Sequence, residues 1–175
     1  MAYAYKNLLI LQNTGSGIAE QALIAPASWF AAGGIKSPAG DGVRITTNHQ
    51  FASVNYGFAA YQLAADKNSY DAKTVGERGS QKLQHELKIF IPGSYEQAHE
   101  AIKNLLNEEL IALHKDVNCG AGIWYQFGCV DDYAFLKADF STGTTKDGVK
   151  GYNAVVQFVS DSVLLYAGAI KKLPS

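Results

Sequence analysis

Polar and apolar residues alternate most cleanly over Gln81–Ile91. Leu83, His85, Leu87, Ile89 and Ile91 fall on one side and Lys82, Gln84, Glu86 and Lys88 on the other, as expected of a β-strand with one wet face. His85 shares the apolar side, where an imidazole is expected to be a hydrogen-bonded core residue rather than a ligand. Gly151–Ser160 alternates in the same way, with Tyr152, Ala154, Val156 and Phe158 opposed to Asn153, Val155 and Gln157. Between these segments the period changes. Pro92-Gly93 breaks the strand, Ser94-Tyr95-Glu96-Gln97 has the form of a capping box, and Ala98, Ile102, Leu105, Leu106, Leu110, Ile111 and Leu113 form an apolar stripe that predicts a helix over 94–115, packed against a sheet.

Elsewhere the pattern predicts mostly strands. Tyr5–Gln12 is a continuous apolar run closed by the turn residues Asn13-Thr14-Gly15-Ser16-Gly17. Leu23–Ala32 reads as a short helical turn stopped by Gly33-Gly34, with Pro26 at a tolerated early position. Val43–Thr47 and the longer Phe51–Ala64 are expected strands, Gly57 marking a bulge in the second. Ile123–Val130 and Tyr133–Phe140 are expected to pair as a hairpin through Asp131-Asp132, and Gly151–Ser160 with Val163–Ile170 as a second through Asp161-Ser162. Residues 65–80 are polar, carry both signs of charge and include two glycines, and read as a long surface loop of the kind that is usually functional or disordered.

Composition narrows the class. The chain has 175 residues, 47% hydrophobic and 18% charged, which fits one folded domain and excludes wholesale disorder. A formal net charge of −1, with 15 scattered Lys and Arg, leaves no footprint for gripping phosphates. No apolar stretch reaches the ~20 residues of a membrane-spanning helix, and Met1 is not followed by a secretory leader pattern. Ten Tyr, eight Phe and 17 Gly suit sheets punctuated by turns.

Candidate chemistry is sparse. Cys119 and Cys129 have neither a zinc spacing nor a disulfide framework and are expected to be reduced, half-buried thiols. The histidines, His49, His85, His99 and His114, have no metal-ligand spacing. Asp131-Asp132 is explained by its turn, and the glycine pairs at 15–17 and 76–79 are too short to cradle a phosphate. No catalytic, metal or cofactor-binding residue is assigned, and the chain is read as a non-enzyme without a cofactor.

One resemblance adds to this reading. The alternating strand running into Ile-Pro-Gly-Ser (91–94), the capped helix, Ile-Trp-Tyr-Gln-Phe-Gly (123–128), Ala-Asp-Phe-Ser-Thr-Gly-Thr (138–144) and Gly-Tyr-Asn-Ala-Val-Val-Gln-Phe (151–158) together resemble tail tube proteins of long-tailed phages and prophages. The likeness is one of pattern, spans about residues 40–170, and leaves the first 40 residues unmatched. It implies a mainly β fold with one packed α-helix, an antiparallel β-sandwich or barrel of the tail tube type. It also implies six copies closing a ring, rings stacking into a tube, and DNA passing through without being held. Other tail proteins would be partners, assembly would take place in the bacterial cytoplasm, and the destination would be the virion tail. The loop at 65–80 is then the expected ring-to-ring contact, through Asp66, Lys67, Tyr70, Lys73, Glu77 and Arg78. Competing readings are another phage part such as a head decoration or connector protein, the tube subunit of a contractile secretion system, and, from a different class, a closed β-barrel holding a small apolar ligand.

Overall fold

Two β-sheets and one α-helix share an apolar core in a computed structural model that describes residues 20–40, 42–64, 67–93, 95–115, 123–143 and 150–173. The elements in chain order are β1 (Glu20–Pro26), a single 3-10 turn (Ala27–Trp29), β2 (Arg44–Ile45), β3 (Ala59–Leu63), β4 (Ser69–Val75), β5 (Lys82–Pro92), α1 (Glu96–Leu105), β6 (Leu110–His114), β7 (Trp124–Phe127), β8 (Phe135–Ser141), β9 (Gly151–Ser160) and β10 (Leu164–Tyr166). The larger sheet has the order β2-β10-β7-β6-β1-β3 and the smaller the order β4-β5-β9-β8. Every named pairing is antiparallel except β2 with β10.

The smaller sheet follows the alternation in its sequence. Leu87, Ile89 and Ile91 of β5 and Ala154, Val156 and Phe158 of β9 point into the shared core, where they meet Ala22, Ile24, Tyr61, Ala112 and Phe127 of the larger sheet. Ala98, Ile102 and Leu105 of α1 enter the same core. The helix is anchored toward the end of the β8–β9 pair, where His99 lies edge-on to Phe140 with centroids 4.9 Å apart and its Nδ1 is 2.5 Å from the Tyr152 hydroxyl.

The larger sheet is covered on its other face as well. Phe30, Ile35, Ile45 and Phe58 pack on Leu23, Ala25, Ala60, Ile111, Leu113 and Tyr166, and the rings of Phe30, Phe51 and Phe58 contact one another. Its central strands are therefore apolar on both sides, which removes the period-two signal.

That two-sided burial accounts for two departures from the sequence expectations. Residues 23–32 do not open with a helical turn: Leu23 to Pro26 belong to β1, a central strand paired with both β3 and β6. The helix does not run to Lys115 either. It ends at Leu105; Asn107 takes φ 65°, and Leu110–His114 turn back as β6, buried at every position between β1 and β7. Ser94 lies outside the described residues, and the N-cap position is Tyr95, without a side-chain capping bond.

Further corrections concern connectivity. Phe51–Ala64 is strand only from Ala59; Gly57 marks no bulge but a close approach, since a Cβ there would lie 2.8–2.9 Å from the backbone of residues 171–173. Residues 65–80 are not one loop, because Ser69–Val75 form β4, paired over its whole length with β5. Neither expected hairpin forms. β7 belongs to the larger sheet and β8 to the smaller, and β9 and β10 are divided in the same way. The chain crosses between sheets at Gly128 (φ 93°), where a Cβ would stand 2.5 Å from the Leu110 carbonyl oxygen, and at Asp132, whose Oδ2 accepts the Val159 amide at 2.9 Å. The strands that do pair in succession are β8 and β9, antiparallel from Phe135 opposite Gln157 to Ser141 opposite Gly151. The expected strand Tyr5–Gln12, the turn at 13–17 and Cys119 lie outside the described residues.

Replacing Leu113, which is fully buried beneath the aromatic layer, by Ala should lower unfolding free energy by about 2–5 kcal/mol in urea titration, the range for emptying a packed core site.

Candidate functional site

Among the described residues no three His, Cys, Asp or Glu side chains gather in a group that could hold a metal, and no helix is long and apolar enough to cross a membrane. Cys129 is a free, half-buried thiol. Asp131 and Asp132 do not form a carboxylate pair, since Asp132 is committed to the corner just described and Asp131 is exposed.

Two histidines are buried in ordered polar chains. His85, with no exposed surface, lies between Tyr70 and Ser160: its Nδ1 is 2.7 Å from the Tyr70 hydroxyl and its Nε2 2.9 Å from Ser160 Oγ. Ser160 Oγ also lies 2.6 Å from the Ser162 carbonyl, which can only accept, so the serine proton is directed there. His85 Nε2 must then carry a proton and donate to Ser160, leaving Nδ1 to accept from Tyr70. The serine is thus not a hydroxyl poised to give its proton to the imidazole, and the trio is a brace that ties β4 to β5 and β9. Burial holds His85 below its ordinary pKa of 6.5, and burial with the neighbouring Tyr125 pushes Tyr70 up to about 12.

His49 is the counterpart on the far side of the larger sheet. Its Nδ1 accepts the Lys36 amide at 3.0 Å, its Nε2 therefore donates to Gln126 Oε1 at 2.9 Å, and Gln126 Nε2 donates to the Gly128 carbonyl at 3.0 Å. The ring lies flat on Tyr166 at 4.5 Å, and the Tyr166 hydroxyl accepts the His49 amide and donates to the Ala169 carbonyl. Burial holds this imidazole below 6.5 too, despite the raising effect of the Gln126 bond.

The residues expected in an inter-subunit loop are spread along the β4 arm. Lys67 sits over the Phe90 ring at 4.7 Å, Tyr70 points into the core, Lys73 lies on the outer face, and Glu77 and Arg78 occupy the exposed β4–β5 turn. Asp66 lies outside the described residues. These side chains do not form one cluster.

What the topology does assemble is a two-edged sheet. Among the described residues neither β4 nor β8 has a strand on its outer side. The face turned away from the core joins Ser69, Asp71 and Lys73 of β4, Lys82, Gln84, Glu86 and Lys88 of β5, Asn153, Val155 and Gln157 of β9, and Phe135, Lys137 and Asp139 of β8. Its four lysines and three carboxylates nearly balance, and some are already neutralised within the sheet: Lys88 Nζ is 3.3 Å from Asp71 Oδ2, while Glu86 Oε1 accepts from Gln84 and Gln157. The sequence reading missed Asp71, Phe135, Lys137 and Asp139 as surface determinants. The signal was present in residues 69–75, where Tyr70, Ala72 and Thr74 alternate with Ser69, Asp71 and Lys73.

No family model, no curated protein and no solved structure matches this chain.

Two outcomes follow from the buried chains. Removing the phenol in Tyr70→Phe leaves His85 Nδ1 without its donor and should lower stability by about 1–3 kcal/mol, measured as a shift in the urea midpoint. His49 and His85 bind protons less readily folded than unfolded, so their contribution to stability is complete above the unfolded pKa of 6.5 and is lost as pH falls below it toward the folded values. The thermal midpoint should accordingly drop between about pH 7.5 and about pH 5, less steeply in a His49→Gln variant.

Proposed function

We propose that this chain is a structural subunit that self-assembles into stacked rings forming a tail tube of the phage type, a conduit for DNA. One observation carries the reading: the four-stranded sheet ends at both sides in a seven-residue strand without an outer neighbour among the described residues. Because β4, β5, β9 and β8 are antiparallel at each step, β4 and β8 run in opposite directions. A second copy can therefore set its β4 beside the first copy's β8 and continue the antiparallel sheet. Such a contact uses two different surfaces, and repeated around an axis it closes a ring. Closure also disposes of exposed strand edges, which are otherwise sites of uncontrolled aggregation.

The outer face supports the same reading. A wall past which DNA must slide cannot gain affinity from each phosphate, and a face whose lysines and carboxylates nearly balance meets that need. Glu77 and Arg78, at the tip of the β4–β5 turn, are the residues best placed to touch a neighbouring ring. A closed barrel around a small apolar ligand fits less well, because the strands form two separate sheets rather than one cylinder.

Negative-stain electron microscopy of the purified protein at rising concentration is the direct test. Annular or tubular particles of constant width are expected; a single 18.8 kDa species at every concentration, with no annuli, would exclude the ring subunit.

A further inference from the structure

If rings form through the two edges of the smaller sheet, the side chains on those edges restrict how one copy can seat on the next, and this deepens the subunit reading and rests on it. The outer-face residues are odd-numbered on both strands: Ser69, Asp71, Lys73 and Val75 on β4, and Phe135, Lys137, Asp139 and Ser141 on β8. A continuous face requires odd opposite odd, because a one-residue slip turns every side chain to the other side. The allowed registers thus differ by steps of two.

End-to-end alignment, with Ser69 opposite Ser141, sets Asp71 against Asp139 and Lys73 against Lys137. Like charges directly opposite are destabilising, and here both pairs are alike. A shift of two residues in one direction sets Lys73 against Asp139 but leaves Asp71 facing Ser141 and Lys137 facing Val75. The shift in the other direction makes every facing pair complementary. Asp71 meets Lys137, the Ser69 hydroxyl meets the Asp139 carboxylate, and the Lys73 ammonium lies across the ring of Phe135, an aromatic left 46% exposed in the single chain.

Asp71 needs such a neighbour. Within the sheet it stands directly opposite Glu86, a like charge, and its one ion pair among the described residues runs diagonally to Lys88. Lys137 from a second copy would approach on the side away from Lys88, while Lys137 and Asp139 have no ion pair within 4.0 Å among the described residues. On the core side the same register puts small beside large, with Tyr70 facing Ala138 and Ala72 facing Leu136. We propose that a second copy of this chain docks its β8 edge on β4 in this staggered register, with Asp71 opposite Lys137 and Lys73 opposite Phe135.

Charge exchange tests the register. Lys137→Glu and Asp71→Lys should each reduce the assembled fraction in sedimentation at least tenfold, while leaving the circular dichroism and thermal unfolding of the unassembled chain close to those of the parent, because both positions are exposed or half-exposed. The double variant should recover most of the assembly. A parent that assembles, with a double variant that does not recover, overturns the register; recovery by Lys73→Glu with Asp139→Lys instead shows the opposite shift. A parent that never assembles overturns the subunit reading itself. As a second measurement, mixing Ser69→Cys and Asp139→Cys chains, each also carrying Cys119→Ser and Cys129→Ser, should give oxidised dimers. Cross-linking of Asp71→Cys with Asp139→Cys in their place would mark the end-aligned register and rule the stagger out.

Discussion

A sheet leaves a row of backbone N–H and C=O groups at each margin, and these must meet water, a cover or another strand. The two sheets of this chain meet that requirement differently. The larger sheet ends in β2 on one side and in the five-residue β3 on the other, and its own chain shortens or partly covers both margins. One margin is the two-residue β2, too short to template another strand. Beside the other, the Phe58 amide donates to the Lys171 carbonyl and its carbonyl accepts the Leu173 amide, both at 2.9 Å, so the segment around residue 172 lies against the entry to β3. The smaller sheet has full-length strands at both margins, and this contrast sets the assembly reading apart from that of a self-contained domain.

The remaining architecture holds those margins in place. The larger sheet, apolar on both faces, is the central layer: the core shared with the smaller sheet lies on one side and the Phe30–Phe51–Phe58 layer on the other. The edge strand β4 would be the least restrained part of the smaller sheet were it held only by its ladder to β5. Tyr70 prevents this by reaching from the edge into the core, where its hydroxyl donates to His85 and its ring meets Tyr125 and Phe127. Position Tyr70, expected in a subunit contact, therefore acts inward as an anchor, and its neighbours Asp71 and Lys73 face outward.

His49 and His85 share one logic. Each imidazole is held neutral by burial and has both nitrogens matched, one accepting and one donating, which defines a single tautomer. Neither sits in a cluster with acidic groups, and in both the hydrogen-bond chain ends on a backbone carbonyl. Polar groups satisfied in this way specify one arrangement of the surrounding strands without providing a reactive centre.

What could be read from the sequence was whatever has one side in water. β5 and β9 alternate visibly because core and solvent lie on their opposite faces, α1 shows its stripe and its break at Pro92-Gly93, and His85 could be placed in the core from parity alone. The sequence by itself thus determined a mainly β chain with one helix and no recognisable catalytic motif. Tertiary structure decided the rest. β1 and β6 are buried on both faces and lose the period that separates strand from helix, so Leu110–His114 extends the helical stripe on paper and forms a central strand in space. The short polar links Asp131-Asp132 and Asp161-Ser162 suit a tight turn and a corner between sheets equally well, and only packing selects the corner. Which strands end as margins depends on long-range pairing, because a strand's place in a sheet is fixed by its neighbours and not by its own residues.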